Sequence, residues 1–320
     1  MIKWPKMLLK GLAYDNLTIL FGAGIPYEFD FPLWDKLVDL IFEEIKSELN
    51  SSETLEIQEY IKAKDYLNVI EILSHKNQEE VIDFINNQFY KDDFDREKVE
   101  NSNEKLLFDL NANVYLTTNV DNSLEEVKGL AGKKAANIYS YKNDNDIRDK
   151  LISHNSEKDP LIVRLHGELK EYSSLIFTQS QYSKLNKKDL FVFKQLLPSL
   201  FLVTTVLIIG YSISDPDIQL ILEKTTKIKG KRNNIFFINV DPNLSEHKKR
   251  MFRMRFGIYV IDIPQTEDDM TLELKNILTQ MVEIKKKLCE YTLSEKRELF
   301  KKGDSTISRE LKKALGTDCQ

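Results

Sequence analysis

The chain has 320 residues, 42% hydrophobic and 30% charged, a composition ordinary for a globular protein with room for one large or two modest domains. Lys and Arg number 46 and Asp and Glu 51, a formal net charge of −5, so no global basic field draws the chain to nucleic acid or anionic lipid. Two cysteines, Cys289 and Cys319, rule out a disulfide framework and a four-cysteine zinc ribbon and fit a reducing compartment.

Met1–Ala13 carries Lys3, Lys6 and Lys10 among its apolar residues and so lacks the continuous stretch of a secretory signal. No run of about 18 apolar residues follows to span a membrane, and the expectation is a cytoplasmic protein. Leu17–Phe21 reads as a first buried strand. Residues 35–110 contain neither Gly nor Pro, and helical apolar spacing recurs in Trp34–Leu49, Leu55–Ala63, Asp65–His75, Glu79–Tyr90 and Glu104–Asn111. Val114–Thr117 is the second strand. The polar, Asn-rich stretch Lys133–Asp159 predicts a mobile surface loop with a short helix. Further strands fall at Leu161–Leu165, Val206–Ile209, Ile235–Val240 and Tyr259–Ile263. After Pro264, Glu267–Leu315 returns to helical periodicity. Within it, residues 285–313 hold ten Lys or Arg against five Asp or Glu, the pattern of a solvated helix pair or of a partner-binding tail.

Strands alternating with helices predict an α/β fold, a Rossmann-like doubly wound parallel sheet with a helical insertion after the first strand and a helical C-terminal tail. The division is 1–34 and 111–265 for the Rossmann core, 35–110 for the insertion and 266–320 for the tail. Periodic apolar positions in the insertion and tail exceed what packing on the sheet requires, an expectation of homo-oligomer or partner contacts.

Five strand ends carry chemistry. Gly22-Ala23-Gly24 at a helix start lets backbone approach a pyrophosphate, although a plain tight turn is an equal reading without the third glycine of G-x-G-x-x-G. Thr118-Asn119-Val120-Asp121 follows the second strand. Asn119 can donate to and accept from a ribose hydroxyl or a water, while Asp121 could be a helix cap only. His166, directly after Leu161–Leu165 and before Gly167, can act as a general base near neutral pH, although a lone histidine is more often a satisfied polar residue. His75, His154 and His247 lie in polar or helical contexts and take no role. Gly210-Tyr211-Ser212-Ile213-Ser214-Asp215-Pro216 places hydroxyls where a phosphate or ribose could sit. Asn239-Val240-Asp241-Pro242 could lie beside an adenosine or be a turn alone.

Taken in order, Gly-Ala-Gly, Thr-Thr-Asn-Val-Asp, Leu-His-Gly and Gly-Tyr-Ser-x-x-Asp-Pro resemble the sirtuin superfamily, and more narrowly the sirtuin-like NAD-hydrolase domains of bacterial antiphage defence systems. Pro32-Leu33-Trp34 and Phe177-Thr178-x-x-x-Tyr182 add to the resemblance, which covers about residues 15–265. It implies that Gly22, Ala23 and Gly24 cradle the pyrophosphate of NAD, and that Thr118, Asn119 and Asp121 line the nicotinamide-ribose pocket. It implies Asn119 and His166 as the catalytic pair, with Gly210, Ser212 and Asn239 on the adenosine side. Both catalytic side chains are expected in a solvent-reachable cleft. The chain departs from the family at Pro26, where Ser is usual, at Asp30, where Gly is usual, and at Leu33-Trp34-Asp35, where the Arg of protein-deacylating sirtuins is missing. The implied activity is NAD glycohydrolysis, with NAD as substrate and no zinc. The alternatives are an NAD-dependent protein deacylase and a non-catalytic nucleotide-sensing subunit. An NAD-draining enzyme endangers its own cell, and no room for a fused sensor is visible after residue 265. Control is therefore expected from self-assembly or from a separate regulatory protein such as a HerA-like ATPase, with no membrane and no direct nucleic-acid partner.

Overall fold

The β-branched runs do not alternate with polar residues because their sheet is covered on both faces. In the computed structural model seven strands form one all-parallel sheet: β1 (Leu17–Phe21), β2 (Val114–Thr117), β3 (Ile138–Ser140), β4 (Leu161–Arg164), β5 (Thr205–Ile209), β6 (Ile235–Asn239) and β7 (Ile258–Asp262). Their order is β3-β4-β2-β1-β5-β6-β7. The structure describes all residues except 1, 3, 133–135, 154–158, 188–189, 213–215, 226–232, 264–268, 304–305, 308 and 312–320. Every residue of β1, β2, β4, β5 and β6 is buried.

Register matters more for function than strand order alone. Phe21 lies level with Thr117 on one side and Ile209 on the other, and Thr117 lies level with Arg164. Four strands therefore end in one row, and the residues that follow them share a single edge. The chain leaves β1 toward β2 and leaves β5 toward β6, so the topological switch, where such sheets bind ligands, opens between β1 and β5.

Six helices fill the long gap after β1: Trp34–Ile45, Ser51–Lys62, Tyr66–Lys76, Gln78–Phe89, Arg96–Glu100 and Asn103–Asp109. The segment turns without glycine because Asn50, Asn77, Asp95 and Ser102 cap four of its six helix starts with side-chain oxygens. The stretch 133–159 carries the short helix expected there, Asp144–Ser153, and in addition the edge strand β3, which among the described residues pairs with β4 alone. Three residues are too short to register as a strand within so polar a composition.

Leu274, Ile277, Leu278, Met281 and Leu288 of the helix Met270–Glu290 are buried in one core with Ile19, Phe21, Tyr115 and Leu207 of the sheet and Val38 and Ile41 of the insertion. The opposite face, with Leu20, Leu116, Val163 and Ile208, packs on Val192–Val203 and the helix Pro216–Thr225. The apolar periodicity of Met270–Glu290 that suggested assembly is thus buried within the chain itself. Among the described residues no helix is long and apolar enough to cross a membrane.

Candidate functional site

At the end of β1 the amide of Gly22 donates to Ile209 O (3.0 Å), that of Gly24 to Gly210 O (2.9 Å) and that of Ile25 to Gly22 O (3.0 Å). A Cβ on Gly22 would stand 2.6 Å from the Tyr211 ring, and one on Gly24 3.0 Å from Gly210 O. Gly210 itself has φ +74°. These glycines let the turn after β1 lie directly on the turn after β5. The turn opens into one short 3-10 turn, Pro26–Phe29, and not into the α-helix start expected from the sequence. Among the described residues, Ala23 has the one amide of this turn without a protein partner, and Ala23 lines the cavity described below.

The β2 end is held by Thr117, whose hydroxyl donates to Phe21 O (2.8 Å) and accepts the Asn119 amide (3.0 Å). Thr118 Oγ1 lies 3.0 Å from the Tyr211 hydroxyl. Asn119 is half-buried, and its Nδ2 is buried with no hydrogen-bond partner. Leaving such a donor unsatisfied costs about 1–3 kcal/mol, and an acceptor on a bound molecule would recover it. Asp121 is buried, and its carboxylate accepts the Ser123 amide (3.1 Å) and hydroxyl at the start of the helix Ser123–Leu130. Burial raises its pKa, opposed by those bonds and by Arg164. Asp121 therefore does the work of a cap while also lining the cavity.

His166 stands two residues past the end of β4 and is 3% exposed, its ring edge-on to Tyr182 at 5.3 Å between centroids. The solvent-reachable setting expected for it is not found: His166 is buried in the wall of the cavity described below. Burial pushes its pKa down to about 3, so the imidazole is neutral at pH 7. Gly167 must be glycine: its φ is +86°, and a Cβ there would meet Ser174 O at 2.3 Å as the loop folds back under the histidine.

Ala23, Thr118, Asn119, Asp121, His166 and Tyr211 form the polar wall of one cavity of about 50 Å³. Phe31, Trp34, Phe89 and Phe177 form the aromatic wall, with Trp34 and Phe89 ring centroids 5.9 and 6.4 Å from Phe177. Gly22, Gly24 and Gly210 are the scaffold beneath. Two assignments fall elsewhere. Ser212 is exposed and outside the cavity lining. Asn239 also lies outside, its amide donating to Asp241 O (2.8 Å) and Asp262 Oδ1 (2.9 Å) and its oxygen accepting the Asp241 amide, which ties β6 to β7. Ser214, Asp215 and His154 lie outside the described residues. The sequence reading gave no role to Tyr211 or the aromatic wall. Tyr211 stood inside a quoted motif, whereas Phe89 carried only the periodicity of a core helix.

A cavity built from four strand ends at the switch point of a doubly wound parallel sheet is where α/β proteins of this class bind their ligands. Residues 113–261 match the family model described as SIR2-like domain. The chain is 25% identical over 248 residues to NAD(+) hydrolase ThsA of Cytobacillus dafuensis, covering 76% of this chain and 45% of that protein. It is 26% identical over 217 residues to NAD(+) hydrolase ThsA of Enterococcus faecium, covering 68% and 41%. Defense-associated sirtuin 2 of Bacillus subtilis is 22% identical over 261 residues, covering 80% and 24%. Residues 113–261 are thus similar to SIR2-like domains, and the chain spans less than half the length of each of these curated relatives.

Proposed function

We propose that this chain hydrolyses NAD to nicotinamide and ADP-ribose, as the conditional, NAD-depleting effector of an antiphage defence system acting in the cytoplasm. The observation that carries the reading is the pairing, on one cavity wall, of the partnerless Asn119 amide with the neutral imidazole of His166. Breaking the N-glycosidic bond releases nicotinamide as a neutral molecule through an oxocarbenium-like transition state, so little acid assistance is needed. What the site must do is hold ribose and water in line, take up the proton of the attacking water, and stabilise developing charge. Asn119 orients the ribose or the water, and His166, a neutral imidazole with one ring nitrogen that carries no hydrogen, is the group placed to take the proton of that water. The unpartnered Ala23 amide offers a donor to the diphosphate. The relatives named as NAD(+) hydrolases support the same chemistry.

A volume of about 50 Å³ does not admit a dinucleotide, for which roughly 300–1,000 Å³ is usual, so substrate entry requires the aromatic wall to part. Control is then exercised on that opening by self-assembly or by a separate regulatory protein, a HerA-like ATPase being the kind expected. Chromatographic analysis of products from the full chain, alone and with its partner, tests the reading. Nicotinamide and ADP-ribose in equal amounts are expected. Acetyl-ADP-ribose formed only when an acetylated peptide is supplied would overturn it in favour of a deacylase.

A further inference from the structure

One buried carboxyl of the molecule has no part in the chemistry above. Glu104, in the first turn of the helix Asn103–Asp109, is 1% exposed, and its Oε2 has no hydrogen-bond partner. Its carboxyl is hydrogen-bonded to the Ser123 hydroxyl. The same hydroxyl donates to Asp121 Oδ1. A serine hydroxyl has one hydrogen and cannot donate to two carboxylates. One of the two carboxyls must therefore carry a proton, and Arg164 beside Asp121, with the Asp121 charge acting on Glu104, puts it on Glu104: Glu104 donates to Ser123 Oγ, and Ser123 donates to an ionised Asp121.

Charge counting agrees. Among the described residues the one cation acting on the cluster is Arg164, which is 4% exposed. It donates to Asp121 O (2.5 Å) and, through two nitrogens, to Glu125 Oε1 (3.1 Å) and Oε2 (2.9 Å). Glu125 and Asp121 already outnumber it, so a third carboxylate in a site closed to water would have no compensating charge.

We propose that Glu104 is a positioning residue for the proposed NAD hydrolysis, holding a proton with which it fixes Ser123 and Asp121 and thereby the loop that presents Asn119 to the cavity. Burial first, and then the Asp121 charge, hold its titration well above the usual carboxylate range. The groups that face it are Asp121 and Glu125 from the loop and helix after β2 and Arg164 from β4. Glu28, Lys98, Glu273 and Lys275 lie on the other elements packed against the same helix, and of these Lys98 and Lys275 act on Glu28.

The test compares the full chain with Glu104→Gln, which can still donate to Ser123 but cannot ionise, and with Glu104→Ala. Two readouts are used: nicotinamide release against pH, and hydrogen exchange of the 118–123 amides, which needs no activity. Glu104→Gln should keep kcat within about threefold at pH 7, and Glu104→Ala should lose at least about tenfold, the scale of a displaced positioning group. As pH rises and Glu104 ionises beside Asp121, the wild-type rate should fall and 118–123 exchange should quicken, while Glu104→Gln shows neither change. An alkaline limb shared by the wild type and Glu104→Gln in both readouts would overturn the assignment, and this comparison holds even where Glu104→Ala does not fold. Should the wild type release no nicotinamide while the exchange difference is present, it is the NAD-hydrolase reading that fails and the Glu104 assignment that stands.

Discussion

Burial holds the His166 imidazole near pKa about 3, against 6.5 ordinarily, so at neutral pH the ring is uncharged. His166→Ala and Asn119→Ala should each lower NAD hydrolysis by at least about a hundredfold, the scale of losing a proton acceptor or a positioning group. Product release measured beside melting temperature decides this, and full activity in the folded fraction of His166→Ala would make the histidine structural. The same burial has a consequence for stability. The folded chain binds the His166 proton less readily than the unfolded chain, so this contribution is fully present above about pH 6.5 and is lost as pH falls toward about 3. Melting temperature should therefore drop between pH 7 and pH 4 more steeply in the wild type than in His166→Gln, and equal slopes would refute the assignment. Asp121→Ala removes the acceptor of both the Ser123 amide and its hydroxyl and should cost about 1–3 kcal/mol in chemical denaturation. An unchanged denaturation midpoint would show that Asp121 does not hold the helix start.

The elements around the site divide into those the sequence displays and those it conceals. Six of the seven strands are legible because long β-branched runs such as Leu17–Phe21 and Ile235–Asn239 are buried on both faces and carry no competing periodicity. The edge strand β3 is hidden because half of its environment is solvent and its neighbours are polar. That Asn119 and His166 line the cavity is legible because each stands two residues past the end of such a run. Phe89 is not, because an aromatic at a helical apolar position looks the same whether it faces a core or a cavity. The helix Met270–Glu290 was read as a tail, yet at least seven of its apolar side chains are buried: Leu274, Ile277, Leu278, Met281, Val282, Ile284 and Leu288. At roughly 1.5–3 kcal/mol each, their burial is comparable to the whole stability of a domain, about 5–15 kcal/mol. A chain ending near residue 264 should therefore fail to fold, with no cooperative melt in circular dichroism. A truncated chain melting near the full-length temperature would show the helix to be dispensable. Motion at the mouth is a separate matter. Hydrogen exchange over residues 22–34 and around Phe177 should change when NAD is added to the Asn119→Ala protein, since the aromatic wall must part to admit it. Unchanged exchange there would place the entrance elsewhere.

For the whole molecule, the question is what holds so large an assembly of helices on one sheet. Small domains that lack a sufficient core recruit a metal to fold, and the stability of such domains collapses when the metal is removed. Here one apolar cluster runs from the N-terminal Leu8 through the sheet face to Leu288 and Ile307, and a second covers the opposite face, so burial alone joins the insertion, the sheet and the C-terminal helices. Among the described residues the cysteine and histidine side chains that could bind zinc are dispersed. Cys289 is exposed on the helix Met270–Glu290, His75 is paired with Glu71, and His166 lies edge-on to Tyr182 inside the cavity. Among the described residues no group of three or more His, Cys, Asp or Glu is placed to hold a metal ion. The chemistry proposed for the site needs none either, since nicotinamide leaves as a neutral molecule and the proton of water passes to His166. Prolonged chelation of the full chain should therefore leave both its melting temperature and its nicotinamide release unchanged, and elemental analysis should find zinc well below one per chain. Stoichiometric zinc whose removal lowers the melting temperature would mean that residues outside those described here complete a structural metal site.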